Sequence, residues 1–262
     1  MNIFTDKQKV QDLIFLCFIT VFAVIVSFSF KTNLFTSAIL FSGLPALYLL
    51  YKEKKYFGKI FLASITFGIF FCFNIEFIAE LNKMWAVEES PLWGRVLGIV
   101  QVDTIWAYFL WMFYMLLFYE HFIDRKKLKS AFSMWGLRVY NLSVLSVIVL
   151  VLVYTFFPFL LYFEKAYFTV FIIISIPFIA VVYKKPKVVW HTLPIVLYFF
   201  FAYLVQEITA LRLGQWSFPG DYIGWVSMFG ISFPLEELFF WVILSSLIGS
   251  VYYELSFDNQ EN

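Results

Sequence analysis

Charge is what this chain has least of. Only 14% of its 262 residues are Asp, Glu, Lys or Arg, against about 25% in soluble domains, and 62% are hydrophobic. That shortage excludes a soluble globular domain. Cysteine is scarce too. Cys17 and Cys72 lie in separate apolar runs with no Cys or His at ligand spacing, so neither a disulfide framework nor a metal site is expected, and both read as small buried hydrophobes. A formal net charge of +1 and the lack of any basic stripe give no sign of a nucleic-acid partner. No Gly-rich fingerprint follows a strand, so no cofactor is expected, with assistance by flavin or nicotinamide left open. No small-x-small cleavage site follows the first apolar run, so no cleavable signal peptide is expected.

What is abundant is apolar sequence of bilayer length. Runs of about 20 residues, the length a spanning helix needs, fall at residues 13–30, 34–51, 60–81, 96–122, 142–163, 166–183, 193–211 and 226–252. They predict an all-α integral membrane protein with eight transmembrane helices. The spacing also repeats. Displaced by 131, the first three runs fall almost on the fifth to seventh, which lays Glu76 on Glu207 and Trp85 on Trp216. A displacement of 132 lays Leu97-Gly98-Ile99 over Phe229-Gly230-Ile231, and one of 134 lays Tyr119-Glu120 over Tyr253-Glu254. The chain therefore reads as two parallel four-helix repeats, residues 1–131 and 132–262, with a site expected between them.

Orientation follows from the basic residues. The amino terminus and the second, fourth and sixth loops hold 14 of the 19 Lys and Arg. The positive-inside rule then puts both termini in the cytoplasm, for a protein of a bacterial inner membrane. Loops 82–95 and 212–225 fall on the outer side, where Trp85, Trp93, Trp216 and Trp225 read as an interfacial aromatic belt or, alternatively, as a lid over a site.

Against this background six acids stand out inside the apolar runs: Glu76, Glu80, Asp103, Glu207, Glu236 and Glu237. An ionised acid at bilayer depth is costly, so each needs a polar cavity or a partner. Glu236 and Glu237 lie about ten residues into the last run, close to the midplane if the run is helical throughout. Neighbours on a helix diverge by about 100°, so one serves a cavity while the other pairs elsewhere. Pro234 is expected to kink that helix and free the carbonyl of Gly230. Asp103 meets Glu237 in the 134 register and is the first half's candidate acid, while Thr104 and Ile105 lie beneath the Glu pair in the 132 register. Ser245, Ser246, Gly249 and Ser250 form small-xxx-small pairs suited to close helix packing.

The second half carries a pattern: Glu207-Ile208-Thr209-Ala210, Trp216-Ser217-Phe218-Pro219-Gly220, Tyr222-Ile223-Gly224, Phe233-Pro234-Leu235-Glu236-Glu237-Leu238-Phe239-Phe240 and Tyr252-Tyr253-Glu254. It resembles the lycopene cyclase domain family of small integral membrane carotenoid enzymes, over residues 205–258. In the first half the likeness reduces to Trp85, Gly98, Trp106 and Tyr119-Glu120, without the Glu-Glu pair. The resemblance implies an isomerase of the intramolecular lyase type acting on a lycopene end group in carotenoid biosynthesis. A proton adds to the terminal double bond, the next double bond attacks the cation, and a base removes a proton. Such chemistry needs a neutral carboxylic acid, which apolar burial and a second carboxylate favour, and a base. Glu236, Glu237 and Glu207 are the catalytic candidates, with Asp103, Glu76, Pro234, Trp216 and Tyr222 in support and no metal. Phe233, Phe239, Phe240 and Trp241 are the candidate faces for the cation. The implied partners are a long apolar polyene taken from the bilayer, lipid and a second copy of the chain. The rival readings are a proton-coupled transporter with Glu76, Glu207 and Glu236 as a relay, and a non-catalytic membrane protein that uses the same glutamates as glue.

Overall fold

The computed structural model describes residues 6–87, 91–92, 94–124 and 134–258. Trp93 and the boundary between residues 131 and 132 lie outside the described residues. Among the described residues eight helices are long and apolar enough to cross a membrane: α1 Lys7–Phe30, α2 Leu34–Lys52, α3 Lys54–Asn82, α4 Val102–Ile123, α5 Met134–Phe156, α6 Ala166–Lys184, α7 Pro194–Arg212 and α8 Glu237–Asp258. A backbone must pair its own polar groups where water is absent, and a helix does so within one segment. Asp6 caps α1 by accepting from Gln8 N at 3.0 Å, and Asn33 caps α2 by accepting from Thr36 N at 3.0 Å. Asn33 thereby starts α2 directly after the short turn that ends α1.

Burial sorts the helices. In α4, 72% of the apolar window is buried, so α4 is the central post, apolar on every side. In α5 only 6% is buried, and Leu142, Leu145, Ile148, Val149 and Leu152 stand outward. Such a face suits lipid rather than water. Cys17 and Cys72 are free thiols, half-buried in the bundle.

Two expected helices start later than their apolar runs. A hairpin of β1 (Arg95–Val96) and β2 (Val100–Gln101) precedes α4, and one of β3 (Trp225–Met228) and β4 (Ile231–Pro234) precedes α8. Apolar run length does not separate a strand from a helix, whereas consecutive residues with positive φ do. The turns hold such pairs, Leu97 (φ 55) with Gly98 (φ 72) and Phe229 (φ 52) with Gly230 (φ 75). The kink expected at Pro234 is therefore corrected. Pro234 closes a strand, where its missing N–H costs no helical bond, and Gly230 makes the hairpin turn. Glu236 and Glu237 accordingly stand at the entrance of α8, not at its middle.

Contacts recur at the displacements read from the sequence. Ala86 and Ser217, 131 apart, pair with each other through two antiparallel backbone bonds of 2.9 Å, which ties the loop after α3 to the loop after α7. At the far end of the bundle Tyr119 donates to Glu254 and Tyr253 donates to Glu120, a reciprocal exchange between partners 135 and 133 apart that matches Tyr119-Glu120 to Tyr253-Glu254 at a displacement of 134. The last step in the growth of the displacement lies within α8, where Glu237–Leu244 is wound as a π-helix whose wider turns absorb an extra residue.

Close helix approach depends on Gly68. A Cβ there would lie 2.9 Å from the Tyr108 carbonyl oxygen and 3.0 Å from Phe109 Cα, both backbone atoms of α4. Gly68→Ala is expected to lower stability by about 1–3 kcal/mol, read as a fall in the melting midpoint of detergent-solubilised protein. The small-residue face of α8 packs in the same way, since a Cβ on Gly249 would lie 2.8 Å from Met115 Cε.

Candidate functional site

A cavity lies among α3, α4, α6 and α8, beside the loops that carry Trp85 and Trp216. Phe67, Cys72, Ile75 and Met112 contribute from one half and Ile174, Ser245 and Ile248 from the other. Aromatic faces dominate the wall: Trp85, Tyr108, Trp111, Tyr167, Trp216, Phe240 and Trp241. Trp111 and Trp241 meet with centroids 4.5 Å apart, and Trp85 sits edge-on to Tyr167 at 5.2 Å. Among the described lining residues the single carboxyl is Glu237.

Glu237 is the first residue of α8, so the helix backbone aims it inward from the cavity rim. Its Oε2 accepts from Tyr167 at 2.5 Å, and Glu207 on α7 lies beside its carboxyl group. Glu207 is 1% exposed, and its Oε1 accepts from Trp216 Nε1 at 3.0 Å. Among the described residues no donor faces Glu207 Oε2, so two carboxyl groups side by side attract only with a proton between them. The structure thus brings together Glu237, Glu207 and Trp216 from the candidate residues.

It places the others elsewhere. Glu236 turns away from the cavity and accepts from Ile223 N at 2.8 Å, which holds the loop before β3 against the start of α8. The divergence of about 100° between adjacent helical residues separates the two roles. Asp103 does the same for the first half, accepting from Leu92 N at 3.1 Å. By these contacts Asp103 corresponds to Glu236, at a displacement of 133, and Thr104 to Glu237. That corrects the register in which Asp103 met Glu237. Thr104 lines the cavity opposite, with a hydroxyl where the second half has a carboxyl. Tyr222 is a loop pin: it donates to Met84 O at 2.7 Å and accepts from Gly220 N at 2.8 Å. Burial pushes its phenol up to about 12, so it stays protonated and donating over the physiological range. Pro234 is not a lining residue of the cavity and ends β4.

Glu76 is fully buried behind the wall and accepts from Trp85 Nε1 at 2.9 Å, the first-half counterpart of the bond between Trp216 and Glu207. Trp85 and Trp216 therefore line the cavity and act as inward donors. Trp225 is 54% exposed and keeps an outward face. Of the proposed cation faces, Phe240 and Trp241 line the cavity, Phe233 is buried in the β3–β4 hairpin, and Phe239 is exposed. Sequence reasoning passed over Tyr108, Thr104 as a lining residue, and Tyr167. Their signal is a hydroxyl within a long apolar helix, weak in a chain with 16 Tyr.

The fold and site define a class, a helical bundle of membrane-spanning length with an aromatic cavity and a buried carboxyl pair at its rim. Comparison with protein-family models, curated proteins and solved structures gave no match to this chain.

Proposed function

We propose that this chain is a carotenoid-pathway membrane enzyme that cyclises a lycopene-type end group by acid–base isomerisation. The observation that carries the reading is the cavity itself, apolar and aromatic, with Glu237 as its one lining carboxyl. An uncharged polyene leaves no polar group to satisfy, and a lining of rings stabilises a passing carbocation while excluding water. Proton-coupled transport of a polar solute calls for polar groups along the lining, and this cavity offers few.

In this reading the proton held between Glu207 and Glu237 is the acid. Glu237 gives it to the terminal double bond, forming a C–H bond and a tertiary cation. The neighbouring double bond closes the ring, and loss of a ring proton to a base restores neutrality. Electrons and atoms balance without a redox partner. Tyr167 and Trp216 orient the two carboxyls. We also read the chain as two parallel repeats, both termini cytoplasmic, on the strength of the recurring contacts at displacements of 131 to 134 and the biased Lys and Arg. Expression in a lycopene-accumulating host is expected to yield a cyclic carotene by chromatography. Unchanged lycopene, with the protein present in the membrane, would overturn the proposal.

A further inference from the structure

Three phenols line the cavity, and each hydroxyl has a different partner. Tyr167 donates to Glu237, Tyr252 donates to the Ile174 carbonyl at 3.1 Å, and Tyr108 donates to Glu76 Oε2 at 2.9 Å. Glu76 is 0% exposed and does not itself line the cavity, and its Oε1 is buried without a hydrogen-bond partner. The carboxyl group of Glu76 therefore communicates with the cavity through the Tyr108 hydroxyl. Trp85 Nε1 fixes the same oxygen at 2.9 Å, so the carboxyl cannot rotate away without losing both donors.

The arrangement is the complement of the one opposite. At the displacement of 133 set by Asp103 and Glu236, Thr104 corresponds to Glu237 and Tyr108 to Trp241. The second half thus puts a carboxyl into the cavity and an indole one turn later, whereas the first half puts in a hydroxyl and then a phenol backed by a carboxyl. Tyr108 also meets Trp241 edge-on at 6.3 Å and Trp111 at 5.3 Å, so its oxygen belongs to the ring-lined part of the wall.

We infer that the first half supplies the base of the reaction, with Tyr108 as the catalytic acceptor and Glu76 as the group that holds the proton behind it. The inference rests on the cyclase reading above. After ring closure the C–H bond beside the cationic carbon breaks and its electron pair becomes the ring double bond. The proton goes to the Tyr108 oxygen as the Tyr108 O–H proton passes to Glu76 Oε2. After product leaves, the proton returns through Tyr108 to the Glu207–Glu237 pair, and the cycle consumes none. Acid and base then stand on different halves, which assigns a use to a first half that lacks the Glu-Glu pair.

Product analysis of Tyr108→Phe and Glu76→Gln in the lycopene-accumulating host tests this. Both variants keep side-chain size, and membrane abundance is checked by immunoblot. Loss of a general base is expected to cut the normal cyclic product by about 100-fold. Lycopene should still be consumed, because the acid is intact, with the cation diverted to a water-trapped tertiary alcohol or to a ring with a displaced double bond. Tyr167→Phe, on the acid side, is expected to slow consumption without changing the product mixture. An unaltered product mixture in both Tyr108→Phe and Glu76→Gln, beside an active wild type, overturns the inference while leaving the cyclase reading in place. A wild type that leaves lycopene untouched overturns both.

Discussion

Replacing Glu237 by Gln is expected to abolish cyclic carotene formation, a loss of at least about 100-fold, while the protein remains folded in the membrane. The amide still accepts from the Tyr167 hydroxyl, so the local geometry survives. What disappears is the proton donor proposed for the reaction. Glu236→Gln separates the two neighbours. Its side chain accepts from Ile223 N, a bond that an amide oxygen also makes, so activity is expected to stay within a few-fold of wild type. The measurement is the ratio of cyclic to acyclic carotene at matched membrane abundance. Equal and complete loss in both variants would remove the division of labour between them. The sequence alone treats the two as a pair, and only the direction of each side chain at the start of α8 divides them.

The largest expected effect on stability lies at the other end of the bundle. Lys59, 2% exposed, is held between Glu120 at 2.6 Å and Asp258, and Tyr253 donates to the same Glu120 oxygen. Lys59→Met removes the ammonium and strands two buried carboxylates. Breaking a buried pair in this way costs about 3–5 kcal/mol, because the surviving charge loses its partner without regaining water. The expected result is a deep fall in the detergent melting midpoint and low membrane yield. Adding Glu120→Gln and Asp258→Asn to Lys59→Met removes the stranded charges and is expected to recover part of the loss, since the three residues act as one network. If Lys59→Met melts like wild type, the cluster is not holding the halves together. The cluster joins α3 to α4 and α8, and the reciprocal Tyr–Glu bonds beside it connect the same two late helices of each half.

Much of the architecture was legible in one dimension. A chain with 62% hydrophobic residues has to satisfy its backbone inside its own segments, and runs of about 20 apolar residues have one economical way to do so. The number and order of the eight helices follow from that. The displacement of 131 that pairs Glu76 with Glu207 and Trp85 with Trp216 was visible as well, and the structure gives each pair the same bond. What the sequence could not decide was depth and direction. The runs 96–122 and 226–252 read as uninterrupted helices because Leu, Ile, Val and Phe suit a strand as well as a helix, and only the left-handed Leu97-Gly98 and Phe229-Gly230 turns reveal the hairpins.

Side-chain direction was beyond the sequence for a further reason. One residue of register turns a helical side chain by about 100°, and the π-wound start of α8 shifts the register without any mark in composition. Tertiary packing therefore decided that Glu237 faces the cavity and Glu236 the loop, that Asp103 matches Glu236, and that Tyr108 reaches Glu76 and Tyr167 reaches Glu237. The sequence by itself determined how many apolar segments exist and which acids they carry, because burying backbone depends on segment length. Which acid meets which donor was left to the packing of α3, α4, α6 and α8 around a cavity, because that depends on angles that a linear pattern does not contain.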